Sequence, residues 1–342
     1  MLQGSIEAYK KLETSVRTSL THRRSINIVL SMFFCFSAGL ASAQEWPNKP
    51  IRIVSPYAAG GVGDTIFRIL APSLEAKLGQ RFVIDNKTGA AGNIGAQEVV
   101  RSAPDGYTFL MAPTANYAVN QSLFKLDFNP STQLDPVVTI ANAPLIAVLG
   151  SKVNATTLKQ FAVLAKAPGA KFNFGSPGAG SPTHLAGASF ALSQANGIEH
   201  IAYRGTPPMT QALLAGDIQL AFPTLTPVVN HLKAGTLKAV AVMSTQRLSE
   251  LPNVPTAAEA GFPEMVFGNW WVLSAPKGTD PKIMNRLHAE ISALLKEPTI
   301  VAKLNDIGHV PMGLSPTESV NFIRNEAAQF KTLIDRTGIR ID

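Results

Sequence analysis

Short apolar runs rich in β-branched residues alternate with longer amphipathic stretches over most of this 342-residue chain. The first run, 51–54, fits a buried strand, and residues 66–78 fit a helix of 3.6-residue period. Between them, Gly60, Gly61 and Gly63 favour a tight turn, with Asp64 or Thr65 as the predicted helix cap. Exposed amides at such a helix start suit a carboxylate or phosphate, although a tight connection that binds nothing explains the pattern equally well.

The same order of strand, glycine-rich loop and helix then repeats. A second strand is predicted over 81–84, a glycine-rich loop over 88–95 and a third strand over 108–112, which ends beside Thr114. Strands that alternate with helices indicate parallel β–α–β units. In such sheets ligands bind beyond the carboxyl ends of the strands, where these loops lie.

A second series of strands and helices follows an apolar stretch over 144–149, which we interpret as one long strand crossing into another domain. In this series the loop 175–185 again leads from a short strand into a helix through glycine and hydroxyl residues. A turn is predicted over 204–208, and a proline-rich passage over 251–256 marks the return. The fold class is therefore α/β, with a first domain of residues 44–143 and 264–342 and a second of residues 144–263.

Residues 1–43 differ from the rest and are predicted to be a secretory signal peptide. Five basic residues precede an uncharged apolar run over 26–40, and Ala41-Ser42-Ala43 supplies a small-residue cleavage pattern, so cleavage is expected after Ala43. A membrane anchor is the alternative, but the run is short for a spanning helix. Because Cys35 is the only cysteine, a chain cleaved there has none, which excludes disulfides, cysteine nucleophiles and cysteine-ligated metals.

Composition and motifs favour a binding protein over an enzyme. The net charge of +7 falls to +4 after cleavage and forms no basic cluster with interleaved aromatics, so nucleic acid is not an expected partner. A P-loop, a complete dinucleotide fingerprint and a hydrolase elbow are all absent, and the histidines lack metal-ligand spacing. We therefore predict no catalytic residues, no cofactor and no metal.

Several residues near the glycine-rich loops have two open interpretations. Ser181 and Thr183 can cap a helix, bind a ligand or do both, and His184 can donate to a ligand or pack locally. Arg204, beside Tyr203 at a strand end, can pair with a carboxylate or form an exposed salt bridge. One of the two adjacent tryptophans, Trp270 and Trp271, can line a pocket, while both can pack between domains.

The motifs together resemble the Bug family of extracytoplasmic solute receptors, the binding components of tripartite tricarboxylate transporters. The resemblance covers essentially the whole chain after residue 43. It rests on Trp46-Pro47-Asn48-Lys49-Pro50-Ile51, Gly60-Gly61-Val62-Gly63-Asp64, Gly89-Ala90-Ala91-Gly92-Asn93-Ile94-Gly95, Pro104-Asp105-Gly106-Tyr107-Thr108, Gly180-Ser181-Pro182-Thr183-His184-Leu185, Tyr203-Arg204-Gly205 and the segment 251–261. The chain departs from the family's pattern at Ala58-Ala59, 206–209, 222–225 and Val272, so the ligand cannot be transferred from a relative.

The resemblance implies a periplasmic binding protein with a hinged two-domain clamshell that closes on a small carboxylate, held mainly by backbone amides and waters from loops 57–64 and 178–184. Expected ligands are tricarboxylates, dicarboxylates, acidic amino acids or aromatic acids. A monomer that delivers its ligand to membrane permease subunits is expected, and the alternatives are a ligand-gated sensor and a secreted α/β enzyme. The candidate ligand-binding residues are Tyr57, Ala59, Gly60, Gly61, Asp64, Thr114, Gly178, Ser181, Thr183, His184, Tyr203, Arg204 and Thr224.

Overall fold

The computed structural model describes residues 46–194 and 198–341, so the predicted signal peptide and its cleavage site lie outside the described residues. The strands are β1 Ile51–Ser55, β2 Phe82–Asn86, β3 Thr108–Pro113, β4 Leu134–Pro144, β5 Ile146–Gly150, β6 Phe172–Ser176, β7 Ile198–Ala202, β8 Leu220–Ala221, β9 Leu237–Val242, β10 Gly268–Pro276 and β11 Val310–Leu314. The α-helices are α1 Val62–Leu78, α2 Asn93–Val100, α3 Asn120–Leu123, α4 Pro130–Gln133, α5 Leu158–Ala165, α6 Pro182–Gln194, α7 Thr206–Ala215, α8 Val229–Lys233, α9 Pro281–Leu294, α10 Pro298–Asp306 and α11 Pro316–Thr337. A 3₁₀ turn at Ala90–Gly92 precedes α2, and a π-helical turn at Ala115–Val119 precedes α3.

Two mixed sheets organise the chain. The six-stranded sheet has the order β11-β4-β10-β3-β1-β2, and the five-stranded sheet has the order β7-β6-β8-β5-β9. The predicted parallel units are present, because β1 pairs in parallel with β2 and β3, and β6 pairs in parallel with β7 and β8. Strands β10 and β5 run antiparallel to both of their neighbours, and each is the first strand after a passage of the chain between the two sheets.

The predicted single strand over 144–149 is wrong, because the chain leaves one sheet at Pro144 and enters the other at Ile146. Leu145 lies between the two sheets and bonds to the returning chain: its amide donates to the Phe267 carbonyl (3.0 Å), and its carbonyl accepts from the Met243 amide (2.8 Å). The Phe267 amide in turn donates to the Met243 carbonyl at 3.0 Å. The two crossings are therefore hydrogen-bonded to each other, which satisfies backbone groups that would otherwise be buried without partners.

Two strands are absent from the sequence prediction. Strand β4 contains Pro136 and lacks apolar–polar alternation, because it is buried between β10 and β11 and both of its faces are covered. Strand β11 is short, half-buried and lies at the edge of the sheet. Strand β4 lacks the period-2 signal that the prediction needs, and in β11 Pro311 and Gly313 are residues that argue against a strand.

Two helix starts also differ from the prediction. Helix α1 begins at Val62 after the N-cap Gly61, so neither Asp64 nor Thr65 is the N-cap residue. Asp64 is the third helical residue and reaches back to the preceding loop. The predicted turn over 204–208 is wrong in its second half, because α7 already begins at Thr206. Prolines are tolerated in a first helical turn, where the missing N–H groups have no intrahelical acceptor.

The apolar core continues from one sheet to the other. One buried cluster contains Val54 and Leu110 of the six-stranded sheet and Leu149 and Phe174 of the five-stranded sheet. Between the sheets, Phe190 of α6 packs on Phe262 with ring centroids 5.6 Å apart, and Phe267 packs on Phe330 of α11 at 6.0 Å. These contacts hold the carboxyl-end loops of both sheets around a common space.

Candidate ligand-binding site

A cavity of about 760 Å³ lies where loops that follow β1, β3, β6, β7 and β8 converge. This volume is within the range of roughly 300–1,000 Å³ that small-molecule sites occupy. The lining residues are Tyr57, Gly61, Val62, Ala91, Pro113, Ala115, Asn120, Leu123, Phe124, Leu145, Pro177, Ala179, Gly180, Ser181, Pro182, Thr183, Thr206, Met209, Pro223, Thr224, Asn269, Trp271 and Ile341. Both sheets therefore contribute to the wall, as the carboxyl-end argument predicts.

Tyr57 anchors the first loop to its neighbours. Its hydroxyl lies 3.3 Å from the Ala91 carbonyl and 3.2 Å from Asn116 Oδ1, and the Ala91 carbonyl also accepts from Asn120 Nδ2 at 3.1 Å. Ala91 has a left-handed backbone (φ 53°), which is unfavourable for a residue with a Cβ and is maintained here by these bonds. Burial raises the pKa of Tyr57 to about 12, so Tyr57 presents a neutral ring to the cavity.

The start of α1 presents free backbone amides. The Gly60 amide donates to Asp64 Oδ2 (2.9 Å), and the Gly61 amide donates to the Ala58 carbonyl (3.0 Å), so neither glycine amide is left for a ligand. The first intrahelical bond is Thr65 N–H to the Gly61 carbonyl. The amides of the first three helical residues, 62–64, therefore have no intrahelical acceptor, and the positive end of the helix dipole lies with them.

The start of α6 is held by its own side chains. Ser181 Oγ accepts from the His184 amide (3.2 Å) and donates to the Gly178 carbonyl (2.8 Å), while the Gly180 amide donates to His184 Nδ1 (3.0 Å). The Ser181 amide donates to the Gly178 carbonyl, and Pro182 has no N–H. In the first turn of α6 the Thr183 amide therefore remains without an acceptor, and Thr183 lies on the cavity wall.

His184 and His200 form a stacked pair behind this wall. Their ring centroids are 3.6 Å apart with an interplanar angle of 11°, and His200 Nε2 lies 2.7 Å from Ser176 Oγ. Burial, followed by the nearby His200, lowers the pKa of His184 to about 4, and burial also lowers the pKa of His200. Both rings are therefore neutral at pH 7 and support the loop that carries Thr183.

The start of α7 offers fewer amides than that of α1. The Gly205 amide at the N-cap donates to the Pro177 carbonyl (3.0 Å), and Pro207 and Pro208 have no N–H groups. Of the first-turn amides, that of Thr206 alone remains. Thr206 and the buried Met209 face the cavity, so this end of the wall combines one free amide with an apolar side chain.

The two adjacent tryptophans have different roles. Trp270 is a packing residue whose Nε1 donates to Glu326 at 2.9 Å and whose amide donates to Thr114 Oγ1 at 2.8 Å. Trp271 lines the cavity, contacts Tyr57 edge-to-face with centroids 6.3 Å apart, and packs so closely on Gly63 that a Cβ there would lie 2.4 Å from the ring. Trp271 Nε1 is buried and has no acceptor in the described part of the chain.

The structure places the predicted residues in three groups. On the cavity wall lie Tyr57, Gly61, Ser181, Thr183 and Thr224. Behind the wall, in contacts that shape the loops, lie Gly60, Asp64, Thr114, Gly178 and His184. Away from the wall lie Ala59 and Arg204, which are exposed, and Tyr203, which packs against the apolar cluster around Ile218.

The predicted ligand-binding residues omit most of the apolar wall, including Leu123, Phe124 and Ile341, although the sequence analysis allowed one of the two tryptophans to line a pocket, and Trp271 does so. Ala91 could have been predicted as a wall residue, because it lies in a glycine-rich loop next to a predicted strand end. The predicted ligand-binding residues do not include it. Met209 lies in the segment 206–209, which departs from the family's pattern, whereas Ile341 gave no signal, since it appears in the sequence as an ordinary terminal residue. Their positions depend on how the two sheets approach each other.

None of the 23 residues that form this wall carries a charged side chain. A search of the described residues finds no cluster of His, Cys, Asp and Glu able to hold a metal ion. The contact between Ser176 and His200 is not a nucleophile–base pair open to the cavity, because Ser176 is fully buried and donates to the Gly178 carbonyl. Polar recognition at this site therefore depends on amides and hydroxyls.

In the part of the chain that the structure describes, no helix combines the length and the apolar character that crossing a membrane requires.

Comparison with known proteins gives consistent results. Residues 66–339 match the model of the TctC family, described as the tripartite tricarboxylate transporter family receptor. The chain is 33% identical to BugT of Bordetella pertussis over 313 residues, which cover 90% of this chain and 96% of BugT. An R. palustris protein solved with adipate is 30% identical, with a TM-score of 0.74 over 86% of this chain and 99% of that one. MatC from Rhodopseudomonas palustris, solved with bound malate, is 27% identical, with a TM-score of 0.69 over 84% of this chain and 100% of MatC.

The sheets, their two hydrogen-bonded crossings and the cavity between their loops are those of a periplasmic binding protein clamshell. The family match and the identity to BugT both extend over most of the described fold. The chain belongs to the Bug, or TctC, family of extracytoplasmic solute receptors of tripartite tricarboxylate transporters.

Proposed function

We propose that this protein captures a small carboxylate in the cavity and delivers it to the membrane subunits of a tripartite tricarboxylate transporter. One observation carries the proposal: a cavity to which the described residues contribute no charged side chain receives the amino-terminal ends of α1 and α6, which follow strands of two different sheets. An anion there is stabilised by helix dipoles and free amides near Val62 and Thr183. The relatives solved with adipate and malate support a carboxylate as the ligand class.

We also propose a location for the protein and its division into two domains. We place it in the periplasm as a monomer, exported by the predicted signal peptide with cleavage after Ala43. The first domain is residues 44–143 and 264–342, and the second is residues 144–263. The hydrogen-bonded crossings at Leu145 and between Met243 and Phe267 support these boundaries, because they lie where the chain passes between sheets.

Thermal-shift screening of the mature protein against small carboxylates tests this function. A ligand present at about 100 times its Kd stabilises the folded state by about 2.7 kcal/mol, which raises the melting temperature measurably. The matching amides and alcohols of each acid serve as controls, because they keep the shape and lose the charge. Stabilisation by uncharged or cationic compounds and by no acid would contradict the proposal.

A further inference from the structure

The free amides are distributed unevenly among the three helix starts at the cavity. Each helix start has four amides without intrahelical acceptors, and these can be followed one by one. At α1 the N-cap amide is used by the loop and the amides of residues 62–64 remain, of which Val62 lies on the cavity wall. At α6 and α7 the amides of Ser181, His184 and Gly205 are used, and prolines remove three more, which leaves Thr183 and Thr206.

The end of the cavity nearest α7 is poor in groups that could hold a negative charge. Thr206 supplies one amide and a hydroxyl, and Thr224 and Asn269 add neutral polar side chains. Met209 occupies the following turn of the helix and is fully buried. Arg204 precedes the N-cap Gly205 but is exposed and is not one of the lining residues. A carboxylate at this end would therefore lose its hydration with no charged side chain on the wall to replace it.

The middle of the cavity is apolar. Side chains from three parts of the chain, Leu123 and Phe124, Leu145, and Trp271, line the cavity together with Val62 at the start of α1. Such a lining favours a hydrocarbon body over polar substituents, because removing apolar surface from water is favourable. A hydroxylated or multiply charged acid would place its polar groups against these side chains without partners.

We propose that the ligand is a monoanion: one carboxylate at the α1 and α6 ends, attached to an uncharged and largely apolar body that extends toward Met209. This inference rests on the proposed function and narrows it to hydrophobic monocarboxylates. Tricarboxylates and dianionic acids are excluded as the preferred class. Pro207 and Pro208 become specificity-determining residues, because they remove the amides that a second carboxylate would need.

Isothermal titration of the mature protein with adipate and with its monomethyl ester tests the inference directly. The two compounds share a carbon chain, and at pH 8 they differ by one charge. The ester is expected to bind at least tenfold more tightly than adipate, with hexanoate close to the ester. Equal or tighter binding of adipate would overturn the monoanion assignment and leave the carboxylate function intact.

The remaining outcomes are also decisive. If citrate or malate stabilises the protein and neither the ester nor hexanoate binds, the apolar-body assignment is wrong while the proposed function stands. If the ester and methyl hexanoate bind equally, the carboxylate itself is not recognised, and the proposed function fails.

A helix variant provides a second measurement. The double substitution Pro207→Ala and Pro208→Ala restores two amides at the start of α7, and both prolines are exposed, so the fold should tolerate it. Adipate affinity is expected to rise severalfold while affinity for the ester stays the same. Pro168→Ala, an exposed proline away from the cavity, is the matched control. No change in the ratio between the two ligands would contradict the role given to these prolines.

Discussion

The imidazole rings of His184 and His200 stack 3.6 Å apart, next to the helix start that brings Thr183 to the cavity wall. The Gly180 amide donates to His184 Nδ1 at 3.0 Å, so this nitrogen must be unprotonated for the loop to keep its shape. His200 is fixed by Ser176 Oγ at 2.7 Å. The neutral pair therefore supports the loop that carries Thr183, and protonation of the pair would disrupt this loop.

Acidification should destabilise the protein through His184. Its pKa is about 4 in the folded state, mainly because of burial, and near 6.5 when the chain is unfolded. The unfolded state therefore binds the proton first, so stability is full above about pH 6.5 and is lost progressively as pH falls toward 4, by on the order of 3 kcal/mol in total. Urea denaturation at several pH values measures this loss.

The variant His184→Gln keeps an acceptor for the Gly180 amide and removes the titrating ring, so its stability should depend less on pH in this window. His231→Gln, outside the stack, is the control. A wild-type profile that is flat from pH 7 to 5 would contradict the role of the pair.

Asp64 should matter more for stability than the arginine with which it pairs. Asp64 is 2% exposed and accepts from both the Gly60 amide and Arg68 Nε at 2.9 Å, whereas the Arg68 side chain is 62% exposed. Asp64→Ala leaves a loop amide without its acceptor and should lower the free energy of unfolding by about 1–3 kcal/mol.

Arg68→Ala removes an exposed partner and should lower the free energy of unfolding much less than Asp64→Ala does, because water screens an exposed charge. Chemical denaturation of the two variants measures the difference. Equal losses would show that the ion pair, and not the Gly60 contact, is what Asp64 contributes.

A negative charge on the cavity wall should weaken binding without unfolding the protein. Ala179 lines the cavity and is exposed, so Ala179→Glu adds a carboxylate that repels an anionic ligand and requires no repacking of the core. We expect the affinity for any acid found in the screen to fall at least tenfold. Ala167→Glu, an exposed alanine that is not on the wall, should leave it unchanged. Titration calorimetry compares the affinities of the two variants. Equal affinities would show that the ligand does not bind in this cavity.

Ligand binding should draw the two sheets together about their crossings. The hydrogen bonds among Leu145, Met243 and Phe267 keep the crossings adjacent, so bending is expected on either side of them, near Pro144 and Pro263. Small-angle X-ray scattering should show a smaller radius of gyration with saturating ligand than without it. Curves that coincide while calorimetry shows tight binding would contradict closure.

The α/β class, the β–α–β repeats and the helix start near Ser181 could be predicted from the sequence, because each depends on local period and turn chemistry, whereas α1 begins four residues before the predicted start. The export signal prediction is local in the same way and concerns residues outside the described structure. Strand β4 could not be predicted, since its pairing partners β10 and β11 follow much later in the sequence and its burial on both faces removes the apolar–polar alternation. Local pattern cannot report which strands become neighbours in a sheet.

The sequence by itself determined which loops bear free amides, because the positions of Gly61, Pro182, Pro207 and Pro208 decide which N–H groups exist and which turns can form. The tertiary structure alone decided where those amides point and what surrounds them. It brought Met209 and Trp271 to the wall, whereas the bonds that make Gly60 and His184 supports lie within single turns of the chain. The physical reason is that hydrogen bonds within a turn are local, whereas the lining of a cavity between two sheets is formed by side chains far apart in the chain.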